Sequence, residues 1–303
     1  MAIKNAAIIG MGALGLLYGS KIYKNIGKDA VSYILDDDRF ESYKKKSFTV
    51  NGEEVFLPTV RADEAGSYDL VIVAVKYNSL NSALETMKNC VGSNTVIISV
   101  MNGIDSEEII ARRYGEEKLL YAIAQGMDAM REKSALTYSK SGTVLLGITD
   151  KRKREKLDDV CEFFTKAKIE YSVPGDIMHA LWGKFLLNVG VNQACMVFKT
   201  TYGGVLEEGE ANRSMIAAMR EVIAIARAEG VELTEKDLNF YVDIEKKLLP
   251  DSMPSMAQDG AAKRPSEVEM FAGTVIKIAK KHNILVPENT FLYKKVKEME
   301  AEY

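Results

Sequence analysis

The sequence predicts a doubly wound α/β domain over residues 1–175, followed by an all-helical domain over 176–303. Three observations support this division. Short apolar runs alternate with helical spacing in the first half, these runs are continuous in hydropathy, and no clear strand follows residue 176. Continuous apolar strands are typical of a parallel sheet with helices on both faces. A chain of 303 residues is also long for one hydrophobic core.

The predicted elements of the first half are apolar runs between turn signals. Strands are expected at 4–9, 31–35, 68–75, 94–100 and 169–173, with a hairpin over 137–148 that turns at Ser141-Gly142. Helices are expected after the first strand and over 151–167. In the second half, periodicity predicts helices near 177–198, 210–229, 234–248, 265–282 and 288–301.

Composition excludes several classes of function. The chain carries 40 Lys and Arg against 43 Asp and Glu, a net charge of −3, so neither nucleic acid nor membrane is expected as a partner. The apolar run 70–75 is far shorter than a membrane span, and no signal layout opens the chain, so a cytoplasmic location is expected. With only two histidines and no paired cysteine spacing, a multi-histidine site is excluded and no metal is expected.

A glycine-rich loop follows the first strand and opens a helix, which is the context of a Rossmann-type dinucleotide site. The first glycine permits a tight turn, the second lets the backbone approach a pyrophosphate, and the third allows close packing of helix and strand. The helix N-terminus would supply N–H groups for the phosphates. The predicted cofactor-binding residues of this loop are Gly10, Met11, Gly12, Ala13, Leu14 and Gly15.

Asp36 ends the second predicted strand, 21 residues after Gly15, where an acid can accept hydrogen bonds from a ribose hydroxyl. Its charge repels a 2′-phosphate and so favours NAD(H) over NADP(H). Arg39 could still hold a phosphate, and a solvated acidic turn is the alternative interpretation. The cofactor preference therefore stays open.

A polar stripe marks the helix predicted at 177–198. Lys184, Asn188 and Asn192 are spaced by four residues, which places them within an arc of roughly 80° on a helix that is otherwise apolar. Buried polar groups without partners cost several kcal/mol, on the order of 2–7 for an amide. A bound polar ligand is one possible partner, and a Lys184 that extends to solvent is the alternative.

Several separated motifs resemble the ketopantoate reductase (2-dehydropantoate 2-reductase) family over nearly the whole chain. They are the glycine loop with Gly19, the strand ending at Lys76, Asn102-Gly103, the run Trp182 to Asn192, Ser255 to Asp259, Ser266 to Glu269, and Val286 to Thr290. The resemblance implies NAD(P)H-dependent reduction of 2-dehydropantoate to pantoate, a step of pantothenate biosynthesis. It also implies NADP(H) as the usual cofactor and a small-molecule 2-oxo acid as substrate.

The resemblance also implies roles for individual residues. Lys184 would be the general acid and Glu267 would help hold the substrate. Asn102, Asn188, Asn192 and Ser255 would line the substrate pocket, and Lys76, with Asn102, would lie at the nicotinamide end of the cofactor. Simpler interpretations exist for four of these: a strand-end lysine (Lys76), a turn dipeptide (Asn102-Gly103), a helix N-cap (Ser255) and a first-turn glutamate (Glu267).

Two departures from the family pattern limit what the resemblance implies. Asp36 stands near the position where the family commonly has an arginine, which puts the NADP preference in doubt, and Ala272 replaces an asparagine. The competing hypotheses are a related reductase of another 2-oxo acid, a 3-hydroxy acid or an imine, and a non-catalytic dinucleotide-sensing protein. The segment 125–131 has no assigned role, and the oligomeric state is left open, with a homodimer as one option.

Overall fold

The computed structural model describes residues 2–247 and 249–303. The chain divides into two compact units. The first comprises Met1–Asn102 and Ser106–Ile177, and the second comprises Gly103–Asp105 and Met178–Tyr303. None of the described helices is long and apolar enough to span a membrane.

The first unit alternates strands and helices. Its strands are β1 (Ala6–Ile9), β2 (Val31–Leu35), β3 (Phe48–Val50), β4 (Glu53–Val55), β5 (Thr59–Arg61), β6 (Tyr68–Val73), β7 (Val91–Ser99), β8 (Leu119–Met127), β9 (Met130–Glu132), β10 (Ala135–Thr137), β11 (Ser141–Gly147) and β12 (Tyr171–Ser172). Its helices are α1 (Ala13–Asn25), α2 (Asp37–Tyr43), α3 (Leu80–Thr86), α4 (Ser106–Tyr114) and α5 (Arg154–Ala167).

The main sheet has the order β12-β11-β8-β7-β6-β1-β2-β5. The strands from β5 to β8 are parallel, and β11 pairs antiparallel with β8. Alternate side chains along β1 and β6 belong to two different apolar clusters, one containing Ile8 and Ile72 and the other Ile9 and Val71. The chain adds β2 on one side of β1 and later adds β6 on the other side. The order of strand addition therefore reverses between β1 and β6, which is the topological switch point where such sheets bind ligands. The predicted doubly wound α/β fold is therefore confirmed.

The predicted hairpin over 137–148 is wrong. Gly142 lies within β11, which pairs along its length with β8, and a Cβ on Gly142 would lie 2.3 Å from the Gln125 carbonyl oxygen. This glycine thus permits close approach of two strands instead of forming a turn. The neighbouring β10 belongs to a second sheet of order β4-β3-β10-β9, called the small sheet below. The sequence did not reveal this sheet because its strands are three residues long.

The described residues of the second unit form helices and no strands, as predicted. The helices are α6 (Ile177–Val197), α7 (Tyr202–Leu206), α8 (Glu210–Ala228), α9 (Glu235–Glu245), α10 (Ser255–Ala261), α11 (Thr274–His282) and α12 (Pro287–Glu300). The predicted helix 265–282 differs from the observed one because a π-helical turn, Glu269–Gly273, precedes α11. The predicted helix 234–248 reaches Leu248, which lies outside the described residues.

Helix α6 packs closely against its neighbours because it carries glycines. A Cβ on Gly183 would lie 2.2 Å from the Tyr241 hydroxyl of α9, and one on Gly190 would lie 2.4 Å from Met219 Cγ of α8. Interior glycines cost helix stability, so their presence here is explained by the close approach of the two partner helices.

The start of α12 is held on α8 by a buried hydrogen-bond cluster. Asn289 is fully buried, and its amide donates to the Glu221 carboxylate at 2.8 Å and to the Ala218 carbonyl at 3.2 Å. Glu221 also accepts the backbone N–H groups of Glu288 and Asn289 at 2.7 and 2.8 Å, which places its charge at the positive end of α12. The Val286 to Thr290 motif therefore has a structural role.

Candidate active site

The glycine loop turns sharply at the end of β1. Gly10 has φ +107°, and a Cβ there would lie 2.5 Å from the Ala74 carbonyl oxygen beyond β6. A Cβ on Gly15 would lie 2.0 Å from the Gly10 carbonyl oxygen. The fold itself therefore requires glycine at both positions.

Gly12 differs from these two glycines. A Cβ there would meet only the Ala74 carbonyl oxygen, at an ordinary contact distance of 3.8 Å. Gly12 is the N-cap of α1, with no capping side chain and no acid in the first turn of the helix. An open approach to an uncapped helix N-terminus fits a pyrophosphate, which binds to such N–H groups.

Lys76 and Asn102 lie at the same end of the parallel strands as the glycine loop, the carboxyl end. They follow β6 and β7, and β1, β6 and β7 are parallel neighbours in the sheet. Lys76 is exposed and precedes a short 3₁₀ turn, while Asn102 is half-buried. Their backbone positions thus lie, like the glycine loop, at the carboxyl ends of the strands beside the switch point, as the strand pattern predicts.

Asp36 is the N-cap of α2. One carboxylate oxygen accepts the Arg39 backbone N–H at 2.8 Å, and the other lies 3.6 Å from Arg39 Nε. Neither sequence-based interpretation included this capping role. Because Arg39 pairs with it, the Asp36 charge is partly balanced within the protein.

All three residues of the predicted polar stripe lie in α6. Lys184 and Asn188 are half-buried, and Asn192 is 6% exposed. Most of the apolar residues of α6 around them are buried, and the rings of Trp182 and Phe185 are in edge-to-face contact with their centroids 6.0 Å apart. Lys184, Asn188 and Asn192 are therefore polar residues in a mostly buried helix.

Glu267 and Ser255 lie on other elements of the second unit. Glu267 is half-buried and precedes the π-helical turn, a type of turn found frequently at functional sites. Ser255 is exposed and is the first residue of α10, where Pro254 takes the N-cap position. The interpretation of Ser255 as an N-cap is thus wrong.

Sequence patterns also missed a buried acid. Glu245, the last residue of α9, is 6% exposed, and its Oε2 atom has no hydrogen-bond partner among the described residues. Burial raises its pKa to about 7. Burial raises the pKa of Cys195 and Tyr202, and the Glu245 charge adds to both effects. Nothing in the spacing around Glu245 distinguishes it from the exposed acids of the same helix.

Comparison with known families decides the assignment. The family model described as ketopantoate reductase PanE/ApbA matches residues 6–151, and the model of the ketopantoate reductase PanE/ApbA C-terminal domain matches residues 176–300. The chain belongs to the ketopantoate reductase family. The resemblance predicted from the motifs is confirmed, and the matched ranges include every predicted site residue.

Relatives of known name extend over nearly the whole chain. A 2-dehydropantoate 2-reductase of Pyrococcus horikoshii is 25% identical and covers 97% of both chains. One of Streptococcus pyogenes serotype M6 is 24% identical and covers 92% of both chains.

Solved structures share the fold at lower identity. D-mandelate dehydrogenase, in a ternary structure with NADH and anilino(oxo)acetate, superposes with a TM-score of 0.87 at 21% identity over 98% of both chains. A dimeric ketopantoate reductase from Staphylococcus aureus gives a TM-score of 0.81 at 19% identity over 98% of this chain and 99% of that one. At these identities the likeness concerns the fold.

Proposed function

We propose that this chain reduces a 2-oxo acid to a 2-hydroxy acid with a reduced nicotinamide dinucleotide, and that 2-dehydropantoate, giving pantoate, is the substrate. The observation that carries the proposal is the α6 stripe, in which Lys184 and two asparagines interrupt a buried apolar helix of a chain that belongs to this family. A protein that only sensed dinucleotides would have no need of a half-buried ammonium group.

The residues at the carboxyl ends of β1, β2, β6 and β7 fit the cofactor. Gly12 leaves space that the protein does not fill, and α1 offers an uncapped N-terminus to the pyrophosphate. The backbone of the loop from Gly10 to Gly15 would hold the phosphates, Asp36 would lie towards the adenosine ribose, and Lys76 and Asn102 would lie towards the nicotinamide. When bound, the dinucleotide supplies the hydride. No cluster of three metal-ligating side chains occurs among the described residues.

Lys184 performs the proton step in this proposal. As the substrate carbonyl carbon gains hydride, negative charge develops on its oxygen, and the Lys184 ammonium donates a proton to that oxygen. The hydroxy acid leaves and the neutral amine regains a proton from solvent. Asn188 and Asn192 supply amide donors to the substrate carboxylate without a second charge. Asn102, Ser255 and Glu267 complete the substrate contacts, Glu267 by accepting from a hydroxyl group.

The test is a substrate panel with both nicotinamides. Purified enzyme is assayed for oxidation of NADH and NADPH with 2-dehydropantoate, 2-oxoisovalerate and phenylglyoxylate. We expect the highest kcat/KM with 2-dehydropantoate. Preference for another 2-oxo acid would overturn the named substrate, and no turnover by folded protein that binds a dinucleotide would overturn the reductase assignment.

Substitution at Lys184 tests the mechanism. Lys184→Ala should lower kcat by about a hundredfold or more, the range for loss of a general acid, with dinucleotide affinity unchanged. Lys199→Ala is the matched control, because Lys199 is exposed just beyond the end of the same helix. An equal loss of dinucleotide binding in Lys184→Ala would indicate a structural role and contradict the proposed one.

A further inference from the structure

The segment 125–131, to which the sequence assigned no role, places an arginine against the glycine loop. Arg131 lies in β9 of the small sheet, and its Nη1 donates a hydrogen bond to the Met11 carbonyl oxygen. Nη2 donates to the Tyr43 hydroxyl at 3.3 Å, and Nε donates to the Lys133 carbonyl oxygen at 2.8 Å. The guanidinium therefore connects the loop to the end of α2.

Two aromatic rings hold the guanidinium in place. Its central carbon lies 5.6 Å from the centroid of the Tyr43 ring and 5.8 Å from that of Phe48. Both distances lie within the range of cation–π attraction. Arg131 is half-buried, and these ring contacts and its three hydrogen bonds hold the guanidinium in place by groups of the protein itself.

The charge of Arg131 has no carboxylate partner among the described residues, unlike the charges of Arg39 and Arg61. Arg39 pairs with Asp36, and Arg61 pairs with Asp37 and Glu41. A guanidinium has five N–H groups, and Arg131 uses one on each of its three nitrogens, so two stay available to an anion.

A second cation contacts the same ring. Lys46 Nζ lies 4.8 Å from the Tyr43 centroid and donates to Ser42 Oγ at 3.0 Å, and it too forms no ion pair with a carboxylate in the described part of the chain. Two cations that share one aromatic ring repel each other, so an anion bound there would lower the energy of the arrangement.

The position of Arg131 indicates which anion it could bind. In dinucleotide folds the adenosine ribose lies between the glycine loop and the end of the second strand, and α2 begins directly after that strand. Arg131 contacts the loop at Met11 and α2 at Tyr43. Because Arg39 already balances Asp36, the acid at the strand end does not by itself exclude a 2′-phosphate.

We propose that Arg131, assisted by Lys46, binds the adenosine 2′-phosphate of the cofactor and gives this chain a preference for NADPH. Arg131 would thus supply, from the small sheet, the charge missing at position 36. This inference rests on the proposed cofactor class.

Binding measurements without substrate test it. Calorimetric affinities of NADPH, NADH, 2′,5′-ADP and 5′-AMP are measured for the wild type, Arg131→Gln and Arg131→Lys. We expect Arg131→Gln to weaken NADPH and 2′,5′-ADP about tenfold or more and NADH and 5′-AMP less than about threefold, as for loss of a charge-assisted contact. Arg131→Lys, which keeps the charge, should give intermediate values.

Lys133→Gln is the matched control, because it removes an exposed positive charge two residues from Arg131. Equal weakening of all four ligands by Arg131→Gln would show that Arg131 only shapes the loop, and unchanged affinities would show that it touches no ligand. Either result overturns the inference. If the wild type binds none of the four ligands, the proposed function itself fails.

Discussion

The buried Glu245 makes a sharp prediction about how stability depends on pH. Its carboxyl group has a pKa of about 7 in the folded protein against an ordinary value of 4.5, because burial disfavours the charged form. Between these two pH values the folded chain keeps a proton that the unfolded chain has released. The free energy of unfolding therefore falls as the pH rises from 4.5 to about 7 and does not change further above that.

The size of the effect follows from the same two pKa values. One pKa unit corresponds to about 1.4 kcal/mol, so Glu245 should cost the protein about 3 kcal/mol above pH 7. Glu245→Gln, which is neutral at every pH, should leave stability nearly unchanged at pH 4.5 and raise it by about 3 kcal/mol at pH 8.

The assay is urea unfolding of both proteins at a series of pH values. Trp182 is the only tryptophan, is 4% exposed and lies in the same unit as Glu245, so its fluorescence reports the unfolding of that unit. Glu232→Gln, at an exposed position of the same unit, is the control and should give a difference that does not vary with pH. A difference between wild type and Glu245→Gln that is constant from pH 4.5 to 8 would refute the reasoning.

Three further predictions concern the glycine loop, Asp36 and the start of α12. Gly15→Ala should destabilise the fold, measured by thermal unfolding, whereas Gly12→Ala should keep stability and weaken dinucleotide binding, since only the Gly15 Cβ would overlap protein atoms. Asp36→Ala should cost about 1 kcal/mol through the lost N-cap and raise the NADPH to NADH affinity ratio, and an unchanged ratio would show that Asp36 does not contact the ribose. Asn289→Ala should lower the free energy of unfolding by about 1–3 kcal/mol, because Glu221 loses a buried donor. A smaller loss, measured by chemical denaturation, would contradict the view that this hydrogen-bond cluster holds α12 on α8.

The sequence predicted those parts of the fold that depend on local patterns. Continuous apolar runs and the glycine loop after β1 are visible within a few residues, and they located β1, β2, β6, β7 and β12 of the main sheet. The sequence patterns did not predict β5 and β8. The small sheet was missed because three-residue strands show no periodicity. Gly142 was assigned to a turn because a glycine that allows two strands to approach has the same local signature as a turn glycine.

The same limit applies to the candidate site. Lys184, Asn188 and Asn192 could be predicted as a group because they share one helix, where spacing determines which side chains lie on the same face. Arg131 and Glu245 could not be predicted, since their importance depends on contacts with residues distant in the sequence. Arg131 reaches a loop 120 positions earlier, and Glu245 is notable only for its burial.

The glycine loop shows how a motif can be separated into parts that the fold requires and parts that a ligand requires. Gly10 and Gly15 are needed by the protein itself, since a Cβ at either would overlap backbone atoms. A loop that bound nothing would still need glycine at these two positions. A Cβ at Gly12 would meet no such overlap, so under the proposed function Gly12 is the glycine of the motif that would serve the pyrophosphate. Substitution at Gly12 therefore tests dinucleotide binding, whereas substitution at Gly10 or Gly15 tests only folding.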